Sequence, residues 1–247
     1  MAAIELDQVS LNYPIYGMNA RSLKTSILEI ATGGKLLKGT KTIEVEALKN
    51  IDFKLVSGDR LGLIGHNGSG KTSLLKVLAE IYEPSSGKVK IQGKSTCLFD
   101  IMVAMDADLT GYENIYLRGL VLGLSKKQIE NLIPEIEAFA ELGEFIKMPL
   151  KSYSSGMLLR LAFGIITSVP AEIILIDEVV NVGDSGFKEK AKARVTNLIH
   201  QSEILVLSTH DHTLIQQFCN KAMWLEHGRI REFGPIETVF EKMNGVS

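Results

Sequence analysis

Apolar and polar residues alternate over parts of residues 4–13 (IELDQVSLNY) and 43–56 (IEVEALKNIDFKLV), the period-two signature of half-buried strands. Residues 60–64 (RLGLI), 172–177 (EIILID) and 203–208 (EILVLS) are short and almost wholly apolar. Such runs predict strands covered on both faces, as in a parallel sheet. A helical stretch, TSLLKVLAEIY, follows the first of them, and residues 187–201 predict a crossover helix between the other two. From about 98 to 165 the chain reads mostly helical. There Ser125-Lys126-Lys127-Gln128 has capping-box spacing ahead of IENLIPEIEAFAEL. AMWLEHGRIREFG predicts a hairpin around His227-Gly228, and PIETVFEKM a short helix. Strands alternating with helices, plus a helical block in the middle, predict an α/β core with a helical subdomain.

One segment stands apart. Leu23, Ile27, Leu28, Ile30 and Ala31 fall at helical spacing, with Arg21, Lys24 and Glu29 on other faces and Gly33-Gly34 as the stop. Residues 19–32 therefore predict a short amphipathic helix. It either packs on its own domain or docks on a partner or a membrane surface.

Composition narrows the class. Of 247 residues, 45% are apolar and 23% charged, enough for a sizeable core in one large or two small domains. A net charge of -2 gives no electrostatic footprint for nucleic acid as a main ligand. The two cysteines, Cys97 and Cys219, are far apart and lack metal spacing, which fits a reducing compartment. The N-terminus MAAIELDQVS has no basic-then-apolar signal pattern. The best candidate for a membrane span, residues 158–176, carries Arg160, Pro170 and Glu172. Any service to a membrane is thus expected of a peripheral subunit.

Gly65-His66-Asn67-Gly68-Ser69-Gly70-Lys71-Thr72 matches G-x-x-x-x-G-K-[ST] between an apolar strand and a helix, the context that gives the pattern its meaning. Glycines let the backbone curl so that N–H groups converge on phosphate oxygens, and the helix N-terminus adds its positive dipole end. Lys71 supplies a charge for the β- and γ-phosphates, Thr72 a hydroxyl ligand for Mg²⁺, and Ser73 completes the loop residues expected at the phosphates. Asp177 ends an apolar strand and is the expected Mg²⁺ partner, directly or through water. Glu178, next in line, either polarises an attacking water or caps the following element. His210 lies just past the strand 203–208, where an imidazole can meet the γ-phosphate; His212 is its rival.

A P-loop, the serine–glycine helix start Tyr153-Ser154-Ser155-Gly156-Met157, then Asp177-Glu178 and a strand-end histidine together resemble the ATP-binding cassette family over essentially the whole chain. Ser154 and Gly156 match the Ser and second Gly of that family's Leu-Ser-Gly-Gly-Gln signature, and Arg160 matches the Arg beyond it. Tyr153, Ser155 and Met157 depart from it. The resemblance implies a P-loop NTPase core, a mostly parallel sheet with helices on both faces, with an N-terminal antiparallel β subdomain and the inserted helical subdomain. It places Asp184 of Asn181-Val182-Gly183-Asp184 in the D-loop and makes Tyr13 the adenine-stacking aromatic, with Tyr16 as its competitor. The Gln usual after the strand near 95–100 is missing; its place falls near Ile101, and Asp100 is a weak candidate for the metal or its water.

Tyr-Ser-Ser-Gly-Met, Asp-Glu-Val-Val-Asn-Val-Gly-Asp and the helix-bearing insertion after Tyr13 resemble one branch of the family, the ATPase subunits of bacterial polysaccharide exporters of the O-antigen and teichoic-acid type. That resemblance implies ATP and Mg²⁺ as cofactors and a head-to-tail homodimer with ATP between one copy's P-loop and the other's residues 153–157. It further implies an integral membrane permease as partner, a lipid-linked glycan as indirect substrate, and a peripheral place on the cytoplasmic face of the inner membrane. The chain is expected to be a single cassette domain over 1–247, without the carbohydrate-binding domain that some members add. Capsule or teichoic-acid export is the near alternative. A soluble cassette ATPase without a membrane partner is the distant one, and a small-molecule kinase would leave the signature and His210 without a role.

Overall fold

Alternating Ile, Leu and Val side chains need one sheet face against a core, and they have it. Ala3–Ile15 (β1), Leu36–Lys38 (β2), Ile43–Val56 (β3) and Ser86–Gln92 (β5) form an antiparallel sheet in the order β2-β3-β1-β5. Leu6 pairs with Phe53 and Tyr13 with Val45, and Ile4, Val9, Leu48, Ile51 and Leu55 are buried. The computed structural model describes residues 1–15, 36–38, 43–178 and 185–245. The helix expected at 19–32 lies outside the described residues.

Two compact units emerge. The first comprises Met1–Ser95, Glu172–Val179 and Ser202–Ser247. Besides the antiparallel sheet it holds Arg60–Ile64 (β4), Ile173–Asp177 (β7), Ile204–Ser208 (β8), Lys221–Glu226 (β9) and Arg229–Pro235 (β10). These run in the order β10-β9-β4-β8-β7. The pairs β4–β8, β4–β9 and β7–β8 are parallel, and β9–β10 is the expected hairpin. Its turn places His227 (φ 48°) and Gly228 (φ 74°) in the left-handed region, as two-residue hairpin loops demand. The apolar runs predicted as buried strands are buried throughout β8 and nearly so in β4 and β7. The helix Lys71–Leu78 (α1) packs on β3, β7 and β8. On the other face lies His212–Phe218 (α6), whose Ile215 approaches Gly62 so closely that a Cβ there would stand 2.4 Å from Ile215 Cγ2. Ile236–Asn244 (α7) closes over Trp224 and Cys219.

The second unit, Thr96–Ala171 with Val180–Gln201, contains the helical block. The strand Ser95–Cys97 (β6) marks the passage into it. Its helices are Gly111–Val121 (α2), Lys126–Ala140 (α3), Ser155–Ser168 (α4) and Ser185–Gln201 (α5). The Ser125–Gln128 capping box is present, and a second one, Thr110–Glu113, starts α2. Ile115, Ile129, Ile136, Leu161 and Ile165 form the centre of the packing, flanked by stacked Phe139 and Phe163 rings, 5.8 Å between centroids. The helix predicted as a crossover, α5, groups with this unit. Its Lys190 donates to the carbonyls of Ala138 and Phe139, at the end of α3, each at 3.0 Å. The block is less helical than its pattern predicts: ahead of α2 residues 101–104 are a turn, and after α3 Gly143–Lys147 and Leu150–Ser152 are short 3₁₀ turns.

Asn114 is wholly buried and organises the loop at 106–110 that leads into α2. Its amide donates to the carbonyls of Asp106, Leu109 and Thr110, and its carbonyl accepts from the Asp106 N–H at 2.8 Å. Asn114→Ala strands these groups and is expected to lower stability by about 2–4 kcal/mol in chemical denaturation.

Candidate functional site

The first unit gathers the phosphate-binding residues where β4 runs out. Its polypeptide curls tightly after Ile64 because Gly65 lets backbone approach backbone: a Cβ there would lie 2.3 Å from the Leu225 carbonyl oxygen. Gly70, at φ 110°, then turns the chain into α1, whose first turn carries no acidic residue to oppose an anion. The hairpin turn braces the loop from outside: the Gly228 N–H donates to Ser69 C=O at 2.9 Å, and Gly228 C=O accepts from Lys49 N–H at 2.8 Å. The His66 ring lies against His227 at 5.0 Å, while Asn67 and Gly68 are exposed at the loop tip.

Lys71 is buried, and its Nζ donates back to the carbonyls of Gly65 (2.7 Å) and His66 (3.1 Å), so the cation is already held over the hollow of the loop. Desolvation pulls its pKa down, and the Asp177 and Glu178 carboxylates oppose that pull. Thr72 Oγ1 donates to Asp177 Oδ2 at 2.6 Å. These hard oxygens fit Mg²⁺, which takes few protein ligands. Among the described residues no group of three or more His, Cys, Asp or Glu could hold an ion, so water and phosphate oxygens would supply the rest of the sphere. Tyr13 reaches the same helix: its hydroxyl donates to Ser73 Oγ at 3.1 Å, and its ring meets Tyr82 edge-on at 5.2 Å.

Past Asp177 the chain turns sharply. Glu178 adopts φ 51°, a costly conformation for a non-glycine residue, held by its N–H donating to Ser208 C=O at 2.8 Å. Its carboxylate is exposed, with Oε1 3.6 Å from His210 Nε2. The two histidines have different neighbours. Both rings are exposed, but His212 lies edge-on to Phe240 at 5.1 Å, whereas His210 stands beside the Glu178 carboxylate. Asp211, which the sequence did not single out, caps α6 by accepting from Thr213 N–H at 2.8 Å.

The second unit carries the serine–glycine helix start. Ser154 caps α4 by accepting from the Met157 N–H at 3.2 Å, which leaves its own O–H free to donate outward. Ser155 is exposed, and Gly156 and Met157 are half-buried at the helix mouth. Tyr153 departs from the group: its ring is buried in the helical core and its hydroxyl donates to Phe145 C=O at 2.7 Å. A hollow of about 480 Å³ opens beside Ser154, Gly156 and Met157, rimmed by Phe145, Glu141 and Arg160. Arg160 stacks over Phe187 at 5.2 Å and faces Glu141 at 3.8 Å, a positioning that its spacing alone did not reveal. Asp100 belongs to this unit, in the left-handed region at φ 52°. Tyr16 and Asp184 lie outside the described residues.

Residues 48–181 match the family described as ABC transporter. The chain is 44% identical over 234 residues, 94% of its own length and 98% of the relative's, to the O-antigen export system ATP-binding protein RfbE of Yersinia enterocolitica. It is 38% identical over 195 residues to the teichoic acids export ATP-binding protein TagH of Bacillus anthracis, covering 79% of this chain but only 35% of that longer protein. Among solved structures, the dimeric post-hydrolysis state of the cassette MJ0796 bound to ADP and Pi superposes with a TM-score of 0.66 at 20% identity, over 94% of this chain and 98% of that one. At that identity the likeness establishes the fold.

Lys71→Ala is expected to weaken nucleotide binding about 100-fold, ~2.8 kcal/mol, in fluorescence titration of an ATP analogue, with the folded state retained.

Proposed function

The chain belongs to the ABC transporter family, and we propose that it is the ATP-hydrolysing subunit of an exporter that moves a lipid-linked, O-antigen-like polysaccharide across the bacterial inner membrane. The observation that supports the ATPase reading best is the convergence of Lys71, the Thr72–Asp177 pair and the Glu178–His210 pair at the carboxyl ends of β4, β7 and β8. The cargo follows the O-antigen export relative, whose similarity is higher than the teichoic-acid protein's and runs its full length.

In this reading the loop N–H groups and Lys71 hold the β- and γ-phosphates, and Tyr13 stacks on the adenine. Thr72 and Asp177 hold Mg²⁺, which offsets phosphate charge when bound. Glu178 takes the proton of the attacking water, and its strained backbone fixes the carboxylate beyond the strand end. His210 meets the γ-phosphate and lies within reach of Glu178. The helix mouth of α4 serves the ATP of a second copy: the Ser154 O–H and the N–H groups of the first turn face the γ-phosphate. ATP then joins two copies, and hydrolysis removes the phosphate that the second copy recognises. Only a difference in affinity between the ATP and ADP states can drive such a cycle. An integral membrane permease would receive the motion from this chain, peripheral on the cytoplasmic face of the membrane.

Glu178→Gln is expected to keep ATP binding, lower turnover at least about 100-fold, and accumulate an ATP-dependent dimer in size-exclusion chromatography. Turnover at the parent rate would remove Glu178 from the role of base. Ser154→Ala is expected to leave monomer nucleotide affinity within about twofold and to cut hydrolysis about tenfold or more; loss of monomer binding instead would show that Ser154 serves its own chain's nucleotide.

A further inference from the structure

Ser208 ends β8 at 1% exposure, and its Oγ has no hydrogen-bond partner among the described residues. An unmet buried hydroxyl is destabilising, so its presence calls for a reason.

Register supplies one. Ser208 pairs with Leu63 of β4 on one side and with Asp177 of β7 on the other. The face it presents follows from a neighbour. Gly62 pairs with Leu207, and a Cβ on Gly62 would run into Ile215 of α6. Gly62 and Leu207 therefore face α6. By the alternation of a strand, Leu63, Ser208 and Asp177 face the opposite side, where Thr72 of α1 meets Asp177. Asp177 is only half satisfied there: Oδ2 accepts from Thr72, while Oδ1 receives no donor among the described residues. An unmet donor and an unmet acceptor thus occupy paired positions on one face of adjacent strands, roughly 4.8 Å apart along the hydrogen-bonding direction.

We propose that Ser208 is a positioning residue for Asp177: its hydroxyl donates to the free carboxylate oxygen once nucleotide and Mg²⁺ fill the site. The proposal rests on the reading of Asp177 as the Mg²⁺ partner. In the open site, solvent can satisfy the exposed oxygen of Asp177. When phosphates cover it, that water is excluded, and a carboxylate without donors becomes costly. A hydroxyl that is already dry and held by the central strand supplies a donor without any further desolvation. Loading then gives the hydroxyl its acceptor, which couples Ser208 to ion affinity. The Ser208 carbonyl also holds the Glu178 N–H, so one residue aligns both acids.

The test uses the full chain, a fluorescent ATP analogue, and titrations with EDTA and with increasing Mg²⁺. Ser208→Ala is expected to melt at or above the parent temperature, because it removes an unmet polar group. Its affinity without Mg²⁺ is expected to stay within about twofold of the parent, and the Mg²⁺ concentration at half-maximal nucleotide binding to rise about tenfold. Ser208→Cys, close in size and a weak donor, is expected to shift in the same direction and serves if the alanine variant does not fold. A Mg²⁺ midpoint within about twofold of the parent's overturns the proposal. Equal weakening with and without Mg²⁺ overturns it too, since that marks a residue that only fills space under the loop. If the parent itself shows no Mg²⁺-dependent binding, the reading of Asp177 fails and the proposal falls with it.

Discussion

Thr72 and Asp177 stand 105 residues apart in the chain and 2.6 Å apart in space. Their hydrogen bond joins the first turn of α1 to the end of β7, and the rest of the first unit can be understood as what makes it possible. β8 has to lie between β4 and β7 so that loop and acid emerge at one sheet edge. Gly62 has to be bare so that α6 can press against the opposite face. Gly65 and Gly70 have to bend the chain back over its own strand. Each requirement is steric or topological, and together they bring a cation, a hydroxyl and two carboxylates to a common edge.

The mouth of α4, which we propose serves the nucleotide of a second copy, is built by different means. A serine cap sets it up. Because Ser154 uses a lone pair to hold its own helix, its proton remains available to an outside acceptor, so capping and ligand recognition are compatible in one hydroxyl. Beneath it, Tyr153 and Gly111 pack so tightly that a Cβ on Gly111 would meet the Tyr153 hydroxyl at 2.6 Å, which anchors the turn that presents the serine.

Much of this was legible beforehand, and the reasons are physical. Buried parallel strands announce themselves as unbroken apolar runs, so β4, β7 and β8 were readable to within a residue or so. A phosphate loop is a local motif and can be read wherever it sits. By contrast β5, SGKVKIQ, is largely exposed and carries only Val89 and Ile91 as an apolar period, and the turn at 101–104 and the loop at 106–110 are held by the Arg118 and Asn114 side chains of a helix that follows them. His210 and His212 are alike in sequence; they differ in their neighbours, Glu178 from the end of β7 for one and Phe240 from α7 for the other. Tyr153 lies within the pentapeptide that resembles the family signature yet turns inward, and only the core of the second unit reveals that. Local chemistry is thus encoded locally, while the choice between two like residues is made by segments distant in the chain.

The brace at Gly228 carries a consequence for biogenesis. β9 supplies one hydrogen-bonded edge of β4, and the turn after it closes on Ser69 and Lys49. A ribosome delivers residues 60–72 early and residues 221–228 more than a hundred residues later. During that interval the nascent loop lacks both its flanking strand and its outer clasp, while the helices between residues 111 and 168 can already gather around their own apolar centre. Competence for nucleotide therefore comes late in synthesis, when the hairpin emerges and locks onto a strand made long before it.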